Sequence, residues 1–343
     1  MSDAQPLIAS VIPVFNEASY IGECLDSLIA QTLPADQHII LVLDGGSEDS
    51  TRDEVSKAIE RSKKVNGPVI ELHSNPRKYV AEARNLALKL LPDSVQYTVE
   101  MIGHSTVEAK HLEIRMEEWK RIEASSNAPL AAVGIRVKPR TGEHGVIETW
   151  IERTLSSPFG SGNGQFENFT TPGPTNTPAF AMHSRSALEQ IGGWDTSYIT
   201  SQDSDLSMRL LEAGFALHRT PATGVHMVKR SGLMKWWKMG HRYGFWRMKV
   251  LQQHPKRVSF REFLPWFGMF ATVAVCIFLP TFALLLPSCY LAVLLLEGVR
   301  SSLSTRRISP LFGVPLCLLM LHISFSFGLL DGLIRKGQAP SDR

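Results

Sequence analysis

From Ile8 to Val137, short apolar runs alternate with stretches in which apolar residues recur every three or four positions. The runs Ile8–Pro13, His38–Leu43, Val69–His73, Gln96–Met101 and Leu130–Val137 predict strands. The stretches Glu17–Gln31, Ser50–Lys63, Tyr79–Leu91 and Val107–Ala124 predict helices. In the first of these, Ile21, Leu25, Leu28 and Ile29 fall on one face. Such alternation implies an α/β, Rossmann-like fold with a mostly parallel central sheet and helices on both faces. Ligands of these sheets bind beyond the carboxyl ends of the strands. The loops Pro13–Glu17, Asp44–Thr51 and Ile102–Thr106 are therefore expected around one crevice.

The pattern then changes. Residues 156–178 carry Gly160, Gly162, Gly164, Pro172, Gly173, Pro174 and Pro178, the composition of a functional loop. An apolar segment, Ala179–Met182, precedes helices expected near Ser184–Ile191 and Asp203–Ala213. Lys229–Leu251 reads as a basic helix with Trp236, Trp237, Tyr243, Phe245 and Trp246, suited to a bilayer interface or to packing on the domain.

Phe263–Leu296 and Ile308–Leu330 contain no charged residue, so they are membrane candidates. As one straight helix the first would measure about 51 Å, against roughly 30 Å of hydrocarbon. Pro280 and Pro287 favour two helices with a turn, giving two or three transmembrane segments in all. Lys229, Arg230, Lys235, Lys238, Arg242, Arg247, Lys249, Lys256, Arg257 and Arg261 precede the first run. Cations beside a span mark the cytoplasmic side and attract anionic lipid. The expectation is an integral protein of the cytoplasmic membrane with its soluble part in the cytoplasm. Its divisions are 1–228, 229–262 (basic interfacial helices) and 263–343.

Composition removes several alternatives. The net charge of +3 over 343 residues gives no reason to expect nucleic acid. The N-terminus lacks the basic and apolar regions of a signal peptide. Cys24, Cys276, Cys289 and Cys317 lie in apolar or amphipathic segments and read as small hydrophobes. No clustered ligand set suggests zinc. The apolar segments lack the charges that mark a transport pathway.

Two chemical motifs stand out: Ile-Pro-Val-Phe-Asn-Glu at 12–17, and Val-Leu-Asp-Gly-Gly-Ser at 42–47. Asp44, at a strand's end before two glycines, can accept hydrogen bonds from a nucleobase or ribose. It can equally belong to a turn capped by Ser47 or Asp49. Further blocks follow in order: Asn-Pro-Arg-Lys at 75–78, Ala-Arg-Asn at 83–85, and Ser-Ser-Pro-Phe-Gly-Ser-Gly-Asn at 156–163. Then come Ile-Gly-Gly-Trp-Asp at 191–195, Ser-Gln-Asp-Ser-Asp-Leu at 201–206 and Arg-Tyr-Gly-Phe-Trp at 242–246.

With these blocks the chain, from Ile8 to about Trp266, resembles the inverting GT-A glycosyltransferases of family 2, and within them the succinoglycan-type exopolysaccharide branch. The resemblance implies a membrane-bound transfer of sugar from a nucleotide-sugar donor, a UDP-sugar first of all. The acceptor it implies is lipid-linked or a growing glycan. Pro13, Glu17, Asp44 and Arg77 would hold the nucleotide. Asp203 would be the general base, with His104, Trp194, Asp195, Asp205, Arg242 and Trp246 in the donor and acceptor region. The residues themselves leave another role open, with Asp203 capping a helix and Asp205 pairing with Arg209 at i+4. Trp194 would stack on a sugar or pack in the core.

The resemblance also implies a divalent cation, Mg²⁺ or Mn²⁺, on an Asp-x-Asp or Asp-x-His motif. His104 matches that histidine, but the aspartate position holds Ile102. Hard cations need oxygen ligands. Glu100, His104 and His226 remain as candidate ligands, or Arg77, Lys78 and Arg84 hold the diphosphate without metal. A glutamine of the branch is replaced by Met239. A weakened relative that binds nucleotide-sugar, lipid or a partner enzyme is the alternative function.

Overall fold

The computed structural model describes residues 5–160, 169–229 and 232–337. Gly162, Gly164 and Arg230 lie outside the described residues, as does the end of the 156–163 block. The chain forms two compact units: Met1–Thr141 with Gly164–Val228, and Gly142–Asn163 with Lys229–Arg343.

The first unit is built on one nine-stranded sheet. Its N-terminal half comprises β1 (Ile8–Val14), α1 (Ile21–Ile29), β2 (His38–Asp44), α2 (Thr51–Lys64), β3 (Val69–Ser74), α3 (Val80–Leu90) and β4 (Tyr97–Glu100). These four strands pair in parallel in the order β3-β2-β1-β4. The two-residue period of β1 explains the layering. Ile8, Ile12 and Val14 pack with Leu25 of α1 and Val55 of α2, whereas Ala9 and Val11 pack with Ala83 and Ala87 of α3.

The remainder is β5 (Ser105–Val107), α4 (His111–Ser125), β6 (Leu130–Pro139), β7 (Gly173–Pro174), β8 (Met182–Ser184), α6 (Arg185–Gln190), α7 (Gln202–Glu212) and β9 (Ala216–Met227). Beyond β4 the order continues β8-β6-β9-β5, with β7 also on β9. Here β8 runs antiparallel to both β4 and β6, β6 pairs with β9 in parallel, and β5 and β7 pair with β9 antiparallel. The sheet is thus mixed, its parallel half where strands and helices alternate in sequence. Two expectations change: Val107 ends a strand instead of opening a helix, and β9 had no signal of its own.

The second unit contains α5 (Val146–Ser156), α8 (Leu233–Gln253), α9 (Leu264–Phe278), α10 (Leu285–Thr305) and α11 (Ser309–Ile334). The break in the long apolar run falls at Pro280, which opens a short 3-10 turn between α9 and α10. Phe260–Phe278, Pro280–Thr305 and Ser309–Ile334 are each long and apolar enough to cross a membrane. Trp236, Phe245 and Trp246 are buried within this unit, so of the two settings open to these aromatics, packing prevails. Trp236 donates from Nε1 to the Cys317 carbonyl at 2.9 Å.

Helices α8 and α11 meet through glycines at i and i+4 on each, Gly240 and Gly244 against Gly328 and Gly332. Small residues in this spacing let helix backbones approach closely. A Cβ on Gly244 would strike the Phe325 carbonyl, and one on Gly328 the His241 carbonyl. Gly328→Val is therefore expected to destabilise the protein by about 1–3 kcal/mol through overpacking. Gly268→Val, where nothing stands within 4 Å, is expected to be neutral. Thermal melts in detergent check this; equal melting of the two variants would contradict the close approach.

Candidate functional site

Two groups of side chains assemble at the carboxyl ends of the parallel strands. The first joins the loops after β1, β2 and β4. Backbone N–H of Asn16 donates to Ser47 Oγ at 2.9 Å, and Glu48 N–H donates to Asn16 Oδ1 at 2.9 Å. Glu17 N–H donates to Thr51 Oγ1 at 2.8 Å. Asn16 adopts φ 55°, a left-handed geometry that asparagine tolerates. The chain after β3 closes over Gly45, where a Cβ would come within 3.0 Å of the Lys78 carbonyl oxygen.

Asp44 ends β2 with its side chain buried. It accepts from Ser47 N–H at 3.0 Å and from the Arg52 guanidinium, itself half exposed. Burial works to raise this carboxyl, but Ser47 and Arg52 hold it below the usual carboxylate range. Asp44 thus shapes the loop, and Arg52 covers it. Arg77 and Lys78 are exposed on the neighbouring loop, Lys78 with its ammonium 5.7 Å from the centre of the Phe15 ring.

Glu17 and His104 face each other, with Oε1 2.8 Å from Nδ1. Glu17 also packs on Gly103, where a Cβ would come within 2.9 Å of its Cγ. Pro13, on β1, is half-buried.

The second group is centred on Arg84 of α3. This guanidinium is almost wholly buried, 3.2 Å from Glu100 Oε2 at the end of β4 and hydrogen-bonded to Asp203 Oδ1 in the first turn of α7. His183 of β8 completes it, with Nε2 3.0 Å from Glu100 Oε1. Trp194 lies beneath, its ring 5.4 Å from the guanidinium carbon and edge-on to His183. Asn85, next to Arg84, fixes the Trp194 backbone by accepting from its N–H at 2.9 Å and donating to its carbonyl at 2.7 Å. Gly193, at φ 73°, permits this approach, since a Cβ there would strike Asn85 Oδ1.

The carboxylates at this centre diverge. Burial works to raise Glu100, but Arg84 and then His183 hold it below the usual range. Asp203 keeps 42% of its side-chain surface open to solvent. Protein nevertheless crowds the carboxyl so closely that desolvation is the largest influence. Helped by the negative charge of Glu100, it outweighs Arg84 and raises Asp203 above the usual range. The helix dipole, which favours an ionised Asp203, is overcome.

The structure corrects several expectations. Arg84 is consumed by two carboxylates and cannot also hold a diphosphate. Glu100 is buried between Arg84 and His183 and is no metal ligand. Trp194 is 4% exposed, a core residue with no face for a sugar. Asp205 is buried and pairs with Arg209 at 2.9 Å, four residues on, so it is structural. Asp195 is exposed and closes a turn by accepting from Ser197 N–H at 2.8 Å. His226 lies 2.9 Å from the Pro139 carbonyl and 3.2 Å from Glu108. The expectation for Arg242 and Trp246 is not among these corrections: both lie on α8 of the second unit, where Trp246 is buried, and the geometry of the first unit does not bear on their role.

The metal expectation meets a poor donor set. Ile102 offers no side-chain oxygen, and His104 presents one nitrogen to Glu17. Among the described residues no three His, Cys, Asp or Glu side chains gather where they could hold a metal ion. A hard divalent cation seeks six or more oxygens, and these residues do not fit one. Sequence reasoning missed the Arg84–Glu100–His183 bridge, whose members are scattered over 100 residues of chain; only the Ala-Arg-Asn block hinted at it.

The family model described as glycosyl transferase family 2 matches residues 10–192, and that of glycosyl transferase family group 2 matches residues 126–330. The chain is 27% identical over 330 residues to the dolichyl N-acetyl-alpha-D-glucosaminyl phosphate 3-beta-D-2,3-diacetamido-2,3-dideoxy-beta-D-glucuronosyltransferase of Methanococcus voltae, covering 96% of this chain and 97% of that one. It is 24% identical over 255 residues to succinoglycan biosynthesis protein ExoA of Rhizobium meliloti (strain 1021), covering 74% and 73%. Among solved structures, the mannosyltransferase PcManGT of Pyrobaculum calidifontis, in complex with GDP-Man and Mn²⁺, superposes with a TM-score of 0.64 at 17% identity, covering 96% of this chain and 88% of that one. That likeness establishes a shared GT-A-type fold. This chain belongs to glycosyl transferase family 2.

Proposed function

We propose that the protein is an inverting glycosyltransferase that moves a sugar from a nucleotide-sugar donor, UDP-linked, to a lipid-linked or growing polysaccharide acceptor at the cytoplasmic face of the membrane. The observation that carries this reading is Asp203, a carboxylate open to solvent but gripped from behind by a buried arginine. One displacement at an anomeric carbon needs a single carboxylate beside the attacking oxygen. Asp203 takes the proton of the acceptor hydroxyl as that oxygen bonds to the anomeric carbon. The bond to the nucleoside diphosphate breaks on the opposite side, and configuration inverts. Its raised pKa brings the base closer to the working pH.

The nucleoside belongs in the crevice of Pro13, Glu17 and Asp44, with Arg52 giving up its place on Asp44 when the base arrives. Arg77 and Lys78, exposed cations on the rim, neutralise the diphosphate in place of a metal. The names of the relatives support the acceptor class: one denotes transfer to a dolichyl-phosphate-linked sugar, the other succinoglycan synthesis. The apolar helices α9–α11 support membrane attachment, and the cations preceding them support a cytoplasmic orientation. Ile102 favours one competing reading, a relative that binds nucleotide-sugar without transferring it.

Asp203→Asn is expected to lower kcat about 10²–10⁴-fold while leaving equilibrium binding of the nucleotide intact. Radiolabelled transfer in membranes, with binding measured in parallel, checks this; an unchanged kcat would remove Asp203 from the mechanism. Transfer is also expected to survive EDTA, and Ile102→Asp to bring no gain. Loss of transfer under EDTA with rescue by Mn²⁺ would contradict the metal-free reading. A large gain from Ile102→Asp would instead mark a decayed site.

A further inference from the structure

Helix α11 is apolar enough to cross a bilayer, yet two charged helices pack on it, with α10 antiparallel along its first half through Leu294 and Gly298. Near its start, Trp150 of α5 covers Gly313, and α5 also carries Glu148, Glu152 and Arg153. Glu152 is paired there with Lys229 at 2.5 Å. From Cys317 onward α8 runs beside α11 in the same direction. Trp236 meets Cys317, Gly240 meets Leu321 and Ser324, and Gly244 meets Phe325 and Leu329. Near the far end His241 Nε2 stands 3.5 Å from Asp331, and Lys249 Nζ donates to the Arg335 carbonyl at 2.7 Å. Along this length α8 bears Lys235, Lys238, Arg242, Arg247 and Lys249.

A crossing by α11 would drag this row of cations through hydrocarbon, where such charges are rare and costly. The opposite face of α11 is different. Phe312, Leu316, Leu319, Ile323, Phe327 and Leu330 form an exposed apolar stripe at three- and four-residue intervals. An apolar stripe beside a cationic helix is the pattern of an element lying in the plane of an anionic surface.

We infer that α11 does not span the bilayer: it lies in one leaflet with this stripe on the acyl chains and the α8 cations among anionic headgroups, so that Arg335 and Lys336 stay on the α8 side. Helix α10, which meets α11 in antiparallel fashion through Tyr290, Leu294 and Gly298, shares its plane, so Arg300, Arg306 and Arg307 stay on the α8 side as well. The inference rests on membrane attachment but not on the transfer reaction.

The test places single cysteines at Lys238 and Lys336 in the full chain, with the exposed Cys276 and Cys289 replaced by Ser; Cys24 and Cys317 are buried. Sealed inside-out and right-side-out vesicles are treated with a membrane-impermeant maleimide. Lys238→Cys and Lys336→Cys are expected to label in the same vesicle orientation and to be protected in the other. Labelling in opposite orientations would overturn the inference. An epitope appended after Arg343 and probed by protease in the same vesicles gives the answer without cysteine variants, and loss of the epitope on the side opposite Lys238 would equally overturn it. Extraction of the protein by carbonate would instead defeat the membrane attachment beneath it.

Discussion

The buried guanidinium of Arg84 holds the proposed catalytic end of the molecule together. It joins a helix of one βα unit to the end of the neighbouring strand, through Glu100, and to a helix that begins more than 100 residues later, through Asp203. Removing one member of a buried ion pair leaves an uncompensated charge, at a cost of about 3–5 kcal/mol. Arg84 thus ties Asp203 to two neighbouring elements, as the positioning of a base requires. Asn85, the next residue, ties down Trp194, so two adjacent side chains of α3 fix both the base and the floor beneath it.

Around that anchor the two carboxylates behave differently because their surroundings differ. Glu100 touches Arg84 and His183 and stays ionised within the protein. Asp203 shares Arg84, but crowding by protein desolvates its carboxyl and Glu100 adds a negative charge, so it holds a proton more readily. Two acids pushed apart by environment are a recurrent sign of divided labour in active sites. Asp44, on a strand separated from β4 only by β1, belongs to the same sheet edge, where its neighbours Ser47 and Arg52 keep it ionised.

Much of this fold was legible because its strands are continuous apolar runs. β1 to β4 were located to within a residue or two, and α7 to within one. The failures have physical reasons. β9 is interrupted by Thr220, Pro221, Thr223 and Gly224, which hide its period; α5 was lost among the loop glycines that follow it. β5 has three residues, too few for any pattern. At the site, Asp203 and the Glu17–His104 neighbourhood came from motif resemblance. The pairing through Arg84 could not be read beyond the hint of the Ala-Arg-Asn block, because an ion pair between distant residues leaves no periodic trace. For Trp194, where stacking on a sugar and packing in the core both stood open, burial decides for the core.

The central claim is that Asp203 acts as a base whose affinity for protons is raised by desolvation and tuned by Arg84 and Glu100. Activity then requires the ionised carboxylate: it is present above the folded-state pKa of Asp203 and is lost as pH falls through it. The most direct measurement is the acidic limb of kcat against pH for the natural protein and for Glu100→Gln. The substitution removes a negative charge and leaves Arg84 wholly to Asp203, so the account predicts a limb shifted to lower pH with transfer retained at neutral pH. A limb that stays in place, or moves to higher pH, would contradict it.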